Sequence, residues 1–157
     1  MICILVISIL VISIYFSGYI CGIKSESQKI LRMKICSDKY LYQLKLAVKW
    51  IKDTSKIITY LSDYKNKKIC IYGMSYFGDC LVELLRSNNF EVMFGIDRNA
   101  KQLFNKYIPI YDLNCHINEV DVIIVTAVEC YPEIKDMLSK KVERNIEIVS
   151  LEDILYS

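Results

Sequence analysis

The feature that most constrains the fold is an apolar strand that runs into a glycine turn and then a helix, within residues 67–79. The strand covers residues 69–72, the turn falls at Gly73, and the helix begins near Gly78. A second apolar strand follows at residues 92–96. Two strands joined through a helix in this way form a βαβ unit, in which the strands are parallel.

The rest of this region repeats the alternation of strands and helices. Residues 69–72 and 122–125 are continuously apolar, which is typical of strands covered on both faces. The pattern predicts strands near 68–73, 91–96, 108–110, 121–126 and 146–149, and helices near 77–88, 100–106, 132–142 and 151–156. The first helix ends at Asn88 and Asn89, which tolerate a left-handed cap. The sequence therefore predicts a three-layer α/β domain with a parallel sheet and right-handed crossovers.

The turn after the first strand is a variant of the glycine fingerprint of dinucleotide-binding, Rossmann-like folds. In the pattern Gly-x-Gly-x-x-Gly, the first glycine makes the tight turn, the second lets a pyrophosphate approach, and the third allows close helix packing. Here Ser75 replaces the second glycine, and its hydroxyl could donate to a phosphate. Alternatively, the glycines serve geometry alone and Ser75 caps the helix. The predicted phosphate-binding residues are Gly73, Met74, Ser75, Tyr76, Phe77 and Gly78.

Three further residues follow the ends of predicted strands, where ligands bind in open α/β sheets. Asp97 is placed to accept from ribose hydroxyls, and Arg98 to stack on adenine or meet a 2′-phosphate. The alternative is an Asx turn over residues 97–99. Thr126 follows the fourth strand and is a candidate for the rim of the site.

The N-terminal segment has a different character. Residues 2–23 contain no charged side chain, and as a helix these 22 residues would be about 33 Å long, enough for a hydrocarbon core of about 30 Å. We expect residues 1–23 to form a transmembrane anchor in contact with lipid. A cleaved signal peptide, a misassigned start and a truncated larger protein are the alternatives.

Charge predicts how such an anchor is oriented. Residues 24–56 carry nine Lys or Arg and three Asp or Glu, and positive charge flanks the cytoplasmic end of membrane helices. We therefore expect a single-pass protein with its N-terminus outside and its C-terminal domain in the cytoplasm. Residues 67–157 carry ten basic and fourteen acidic side chains, which argues against nucleic acid as a partner.

Residues 24–66 are expected to form a basic, helical linker between anchor and domain. Spacings of three and four predict an amphipathic helix over residues 38–52, with a shorter helix over 55–64. Trp50 is predicted to pack against the following domain, and the alternative is a helix that faces lipid or a partner. The seven cysteines form no Cys-x-x-Cys pair and His116 is the single histidine, so no metal site is expected.

A family resemblance adds to this interpretation. The segments 69–78, 94–100, 108–111, 120–127 and 148–155 resemble the Rossmann-like nucleotide-binding domains encoded in bacterial capsule and surface-polysaccharide loci. Similar domains form the N-terminal part of membrane-bound nucleotide-sugar epimerase/dehydratases and of glycan-pathway acyltransferases. The resemblance matches Gly73, Gly78 and Asp97, and it implies NAD(P) or a nucleotide-sugar as ligand and glycan-biosynthesis enzymes as partners.

The function that follows is a membrane-anchored, non-catalytic nucleotide-binding module for surface-polysaccharide biosynthesis. We expect no part of residues 1–157 to match the catalytic domain of the similar enzymes, so no catalytic residue is assigned. One alternative is an NAD(P)-dependent sugar-nucleotide epimerase/dehydratase that works with a partner subunit. Tyr131 and Lys135 have the Tyr-x-x-x-Lys spacing of some dehydrogenases, but Tyr64 and Lys68 share it. A protein-interaction scaffold is the other alternative, and a homodimer is expected if one copy supplies half of a dinucleotide fold.

Overall fold

The backbone is described for residues 2–114, 117, 119–142 and 145–157 in this computed structural model, and the side chains for the same ranges from residue 22 onward. The chain forms two compact units, Met1–Ala47 and Val48–Ser157. The second unit begins within the predicted linker, residues 24–66.

Helix α1 runs from Ile2 to Leu61, and its backbone leaves helical geometry at Asp53 (φ −120°, ψ 25°). This kink falls between the two helices predicted at residues 38–52 and 55–64, so the predicted break is a kink within one helix. The Thr54 hydroxyl donates to the Trp50 carbonyl oxygen at 2.8 Å, a bond of a kind that often bends helices. Beyond the kink, Ile57 and Leu61 are fully buried.

The predicted anchor coincides with the first part of α1. The backbone of residues 2–23 is helical, and the structure does not describe the side chains of residues 1–21. Within the part of the chain whose side chains are described, no helix is long and apolar enough to cross a membrane.

The second unit contains a five-stranded, entirely parallel sheet with the strand order β3-β2-β1-β4-β5. Its strands are β1 (Lys68–Tyr72), β2 (Glu91–Ile96), β3 (Ile110–Tyr111), β4 (Val122–Val125) and β5 (Glu147–Ser150). Its helices are α2 (Tyr76–Ser87), α3 (Tyr131–Ser139) and α4 (Leu151–Tyr156). The predicted parallel α/β architecture is confirmed.

The strand order places helices on both faces of the sheet. The step from β1 to β2 goes toward one edge of the sheet, and the step from β4 to β5 goes toward the other edge. Because both crossover connections have the same handedness, α2 and α3 lie on opposite faces of the sheet. Ile134 and Leu138 of α3 belong to the same buried cluster as Cys70, Tyr72 and Val125. Leu81 and Leu85 of α2 are fully buried, as are Ile69 and Ile71, which point to the other face of β1.

One predicted helix is wrong. Residues 100–106 form a single 3₁₀ turn, Ala100–Gln102, followed by an irregular segment. The cause lies at Asn105, whose side-chain oxygen accepts the amide hydrogens of Tyr107 at 2.9 Å and Ile108 at 3.2 Å. A side chain that binds nearby amides in this way competes with helix formation.

A buried tyrosine fastens the chain ahead of β1 to β5. The hydroxyl of Tyr64 donates to Glu147 Oε1 at 2.6 Å, and Lys67 Nζ lies 3.5 Å from Glu147 Oε2. Burial, and then the hydrogen bond to the Glu147 carboxylate, raise the pKa of Tyr64 above its usual value of 10.0. Because the folded state holds this proton more tightly than the unfolded chain, the stabilisation is present below pH 10 and is lost as the pH rises above it.

Tyr64→Phe should therefore cost about 1–2 kcal/mol of unfolding free energy at pH 8, because it removes a hydrogen bond to a charged group. Above pH 10 the difference from the wild type should shrink, since phenylalanine has no proton to lose. Urea unfolding at several pH values measures both effects. Tyr76→Phe is the matched control, because Tyr76 is 77% exposed and should give no difference. A pH-independent loss in Tyr64→Phe would contradict the assignment.

Candidate functional site

The glycine turn lies at the carboxyl end of β1, where the strand order reverses. Gly73 has φ +96°, a conformation that side chains rarely adopt, and its N–H donates to the Ile96 carbonyl oxygen at 2.8 Å. The hydroxyl of Thr126 donates to the carbonyl oxygens of Tyr72 at 3.2 Å and Gly73 at 2.5 Å. A Cβ on Gly73 would lie 2.7 Å from that hydroxyl oxygen. The turn is thus held between the ends of β2 and β4.

Close packing explains two more glycines around this turn. A Cβ on Gly78 would overlap the carbonyl oxygen of Gly73, so glycine lets α2 sit directly on the turn. A Cβ on Gly95 would lie 2.5 Å from Cγ and Sδ of Met74. Met74 is therefore a core residue, 1% exposed, that packs on β2 beneath the turn.

The start of α2 presents other predicted residues to solvent. Ser75 is the N-cap residue, but its exposed side chain makes no capping hydrogen bond. Tyr76 is also exposed. Phe77 is half-buried, and its ring centroid lies 6.2 Å from that of Trp50, which confirms that Trp50 packs against the domain.

Asp97 links the end of β2 to the glycine turn. Its Oδ2 accepts the amide hydrogen of Met74 at 2.9 Å, and its Oδ1 accepts that of Asn99 at 2.8 Å. The second bond forms an Asx turn, the predicted alternative to a ribose-binding role for Asp97. A carboxylate has about four lone-pair sites, so both oxygens retain the capacity to accept from a ligand. Its role toward ribose stays a prediction.

Arg98 and Thr126 occupy different environments. Arg98 is exposed, and its guanidinium lies near the phenol of Tyr72, where burial raises the pKa of Tyr72 and this positive charge opposes the rise. A cation therefore stands close to the carboxyl end of β1. Thr126 is 4% exposed, and its hydroxyl holds the turn from within. Contact of either residue with a ligand stays a prediction.

The amide groups at the start of α2 give the turn its electrostatic character. The first amides of any helix have no acceptor within the helix, and the helix dipole favours an anion beside them. The Gly73 and Met74 amides bind Ile96 and Asp97, and the Asp79 amide donates to the carbonyl oxygen of Ser75 at 3.0 Å. The amides of Ser75, Tyr76 and Phe77 precede the first bonded turn, so an anion would meet them.

A cavity of about 380 Å³ lies farther along the same edge of the sheet. It is lined by Ala100, Lys101, Ile110, Tyr111, Asp112 and Asn114. The Tyr111 carbonyl oxygen accepts the amide hydrogen of Asp97 at 3.0 Å, so the cavity adjoins the end of β2. Sequence reasoning missed these residues because it assigned 100–106 to a helix and ended the third strand too early. The residues that line this cavity include none of the ligand-binding residues predicted from the sequence.

The pair with dehydrogenase spacing has structural contacts. Tyr131 begins α3, and its hydroxyl donates to the Ile148 carbonyl oxygen at 3.0 Å. Lys135 Nζ lies 5.5 Å from the centre of the Tyr131 ring. Among the described residues, no group of three or more His, Cys, Asp or Glu could hold a metal ion, and His116 lies outside those residues.

The fold and site together define an α/β protein with a five-stranded parallel sheet and a glycine turn at its carboxyl edge. No protein-family model matches this chain, and neither a curated protein nor a solved structure gives a match. The resemblance to polysaccharide-locus domains therefore stays a prediction from the motifs.

Proposed function

We propose that the second unit binds a nucleotide or nucleotide-sugar, with a phosphate group at the start of α2. In this proposal residues 1–23 anchor the chain in a membrane with the C-terminal domain in the cytoplasm. The protein acts in surface-polysaccharide biosynthesis as a binding module without catalysis of its own. The observation that carries the proposal is the glycine turn at the position where the strand order reverses.

The topology supports a ligand at this position. In open α/β sheets, ligands bind beyond the carboxyl ends of the strands at the point where the order reverses. Here that point lies between β1 and β4, and the turn that leaves β1 leads directly into α2. The order β3-β2-β1-β4-β5 equals the first five strands of the six-stranded dinucleotide fold. One copy therefore has more strands than the predicted half of a dinucleotide fold, and NAD(P) remains a candidate beside nucleotide-sugars.

The side chains around the turn support an anionic ligand. Ser75 offers an exposed hydroxyl that its own helix does not use. The guanidinium of Arg98 adds positive charge near the carboxyl end of β1. Asp97 already orders the turn through Met74, and its free lone pairs suit ribose hydroxyls. The turn beneath the proposed phosphate is supported by three buried residues, Met74, Gly78 and Thr126.

Ser75→Asp should abolish most of the binding without harming the fold. Aspartate is as good an N-cap as serine and suits the helix dipole, so the unfolding free energy should stay the same or rise. Its carboxylate would repel a phosphate at the same place, and we expect the affinity to fall about tenfold or more. Ser75→Asn is the matched control, with the same shape and no charge.

Calorimetry and thermal shift on the full chain in detergent measure these effects, with NAD⁺, NADP⁺, ADP and a UDP-sugar as probes. A bound ligand at 100-fold excess over its Kd should stabilise the wild type by about 2.7 kcal/mol. The proposal fails if no probe produces heat or a shift. If Ser75→Asp binds a probe as tightly as the wild type does, the phosphate of that probe does not bind at the start of α2. Turnover of a probe with a partner subunit, lost in Tyr131→Phe, would replace the proposal by the enzyme alternative.

A further inference from the structure

The first unit exposes a set of large apolar side chains on α1 that the proposed function does not use. Eight such residues between positions 23 and 44 are 50–69% exposed. Five of them are Ile23, Ile30, Met33, Tyr40 and Leu44, and the other three are Leu31, Ile35 and Leu41. Large apolar side chains that stay exposed along a helix mark an interaction surface.

The spacing of the first five follows a seven-residue repeat. Positions 23, 30, 37 and 44 are seven apart, and so are positions 26, 33, 40 and 47. The two series are offset by three residues, the a and d pattern of a coiled coil. Six of the eight positions are apolar, and the exceptions are Glu26 and Ser37. We call these eight positions the heptad stripe.

We propose that the heptad stripe is the interface with a second copy of this chain, in a parallel two-stranded coiled coil. A repeat of seven residues matches another helix of the same kind, because it keeps the seam facing a supercoiled partner. Residues 23–47 would form about 37 Å of such a coil. Two copies together would cover ten large apolar side chains, five from each.

The course of α1 favours this occupant over a lipid surface. The helix has helical backbone geometry from Ile2 until Asp53, so the stripe continues the segment proposed as an anchor. This step rests on the anchor in the proposed function. A helix that leaves the bilayer without a bend points away from it, whereas a surface-bound helix lies in the plane of the membrane. Two anchored copies also share one direction, which fits the parallel arrangement.

Charges beside the heptad stripe give a dimer a different salt dependence from that of a complex with an acidic partner or with lipid. In the heptad frame Lys29 is a g position and Lys34 an e position. In a parallel pair, Lys29 of one copy faces Lys34 of the other, and the two repel. Added salt screens this repulsion, so the dimer should tighten at high ionic strength. Binding to an acidic partner or to anionic lipid would weaken instead.

The test compares two double variants of the full chain in detergent, with the mass measured by sedimentation equilibrium. Ile30→Lys with Leu44→Lys places two charges in the stripe. Leu31→Lys with Ile35→Lys makes the same change at exposed apolar positions outside it, where the side chains are 58% and 59% exposed. We expect the dimer Kd to rise at least 100-fold in the stripe variant and less than threefold in the control. Circular dichroism checks that both variants keep their helix.

Three results would overturn the inference. They are a monomeric wild type at all protein and salt concentrations, an equal effect of the two double variants, and a dimer that weakens with added salt. Equal effects would mean that micelle contacts, or the anchor alone, cause association. Nucleotide binding is measured separately from the oligomeric state. If the protein is monomeric and binds a nucleotide, only the proposed dimer is refuted. If it forms a dimer that tightens with salt and binds no nucleotide, only the proposed function is refuted.

Discussion

Gly78→Ala should destabilise the protein by about 3 kcal/mol, although alanine normally stabilises a helix relative to glycine by about 1 kcal/mol. The sign reverses because a Cβ at this position would overlap the carbonyl oxygen of Gly73 and lie 3.2 Å from its carbonyl carbon. These are backbone atoms of a turn held by β2 and β4, so they cannot rotate away as a side chain could. Either α2 moves off the sheet or the turn opens.

Urea unfolding of Gly78→Ala, with the helix content followed by circular dichroism, measures this effect. Gly22→Ala is the matched control, because a Cβ there has nothing within 4 Å. The control should keep or slightly raise the helix content and leave the unfolding midpoint unchanged. A Gly78→Ala protein as stable as the wild type would mean that α2 does not pack on the turn.

Local sequence patterns account for much of the fold. The strands were predictable because continuous apolar runs such as residues 122–125 are bounded by polar or turn residues. The left-handed cap predicted at Asn88 and Asn89 is found at Asn89, with φ +62°. Each of these signals depends on residues close in the sequence, which explains why sequence reasoning finds them.

Contacts between distant residues account for what sequence reasoning missed. The packing of Met74 on Gly95 and the bond from its amide to Asp97 join residues more than twenty positions apart. The sequence placed Thr126 at the correct edge of the sheet. Thr126 is buried because its hydroxyl donates to the backbone of the glycine turn, which is more than fifty residues earlier in the sequence. The strand pattern therefore could not predict these hydrogen bonds. The two-residue strand Ile110–Tyr111 was misplaced because so short a strand carries little periodic signal.

These contacts change how the glycine turn must be tested. Replacing Gly73 by valine is the obvious way to block a phosphate, but the structure gives this residue a structural task. Gly73 has φ +96°, and a Cβ would meet the Thr126 hydroxyl oxygen at 2.7 Å and the Ala127 nitrogen at 3.2 Å. Lost binding in such a variant would reflect the fold as much as the ligand, so Ser75 is the better position for a binding test.

Gly73→Ala should itself cost about 3–4 kcal/mol of unfolding free energy. Of this, about 1–2 kcal/mol comes from the left-handed backbone, and the rest from the contact with Thr126. Thr126→Ala alone should cost about 1–2 kcal/mol, because the buried carbonyl oxygens of Tyr72 and Gly73 lose a donor. The two changes are in contact, so their effects should not add.

The double variant tests whether the two residues meet as described. Thr126→Ala removes the atom that the new Cβ would strike, so the double variant should be about 1 kcal/mol more stable than the sum of the single effects. The backbone strain at Gly73 remains, so the wild-type stability should not be recovered. Urea unfolding of the four proteins gives the coupling energy. Strict additivity would mean that the cost of Gly73→Ala is backbone strain alone and that its new Cβ does not meet the Thr126 hydroxyl.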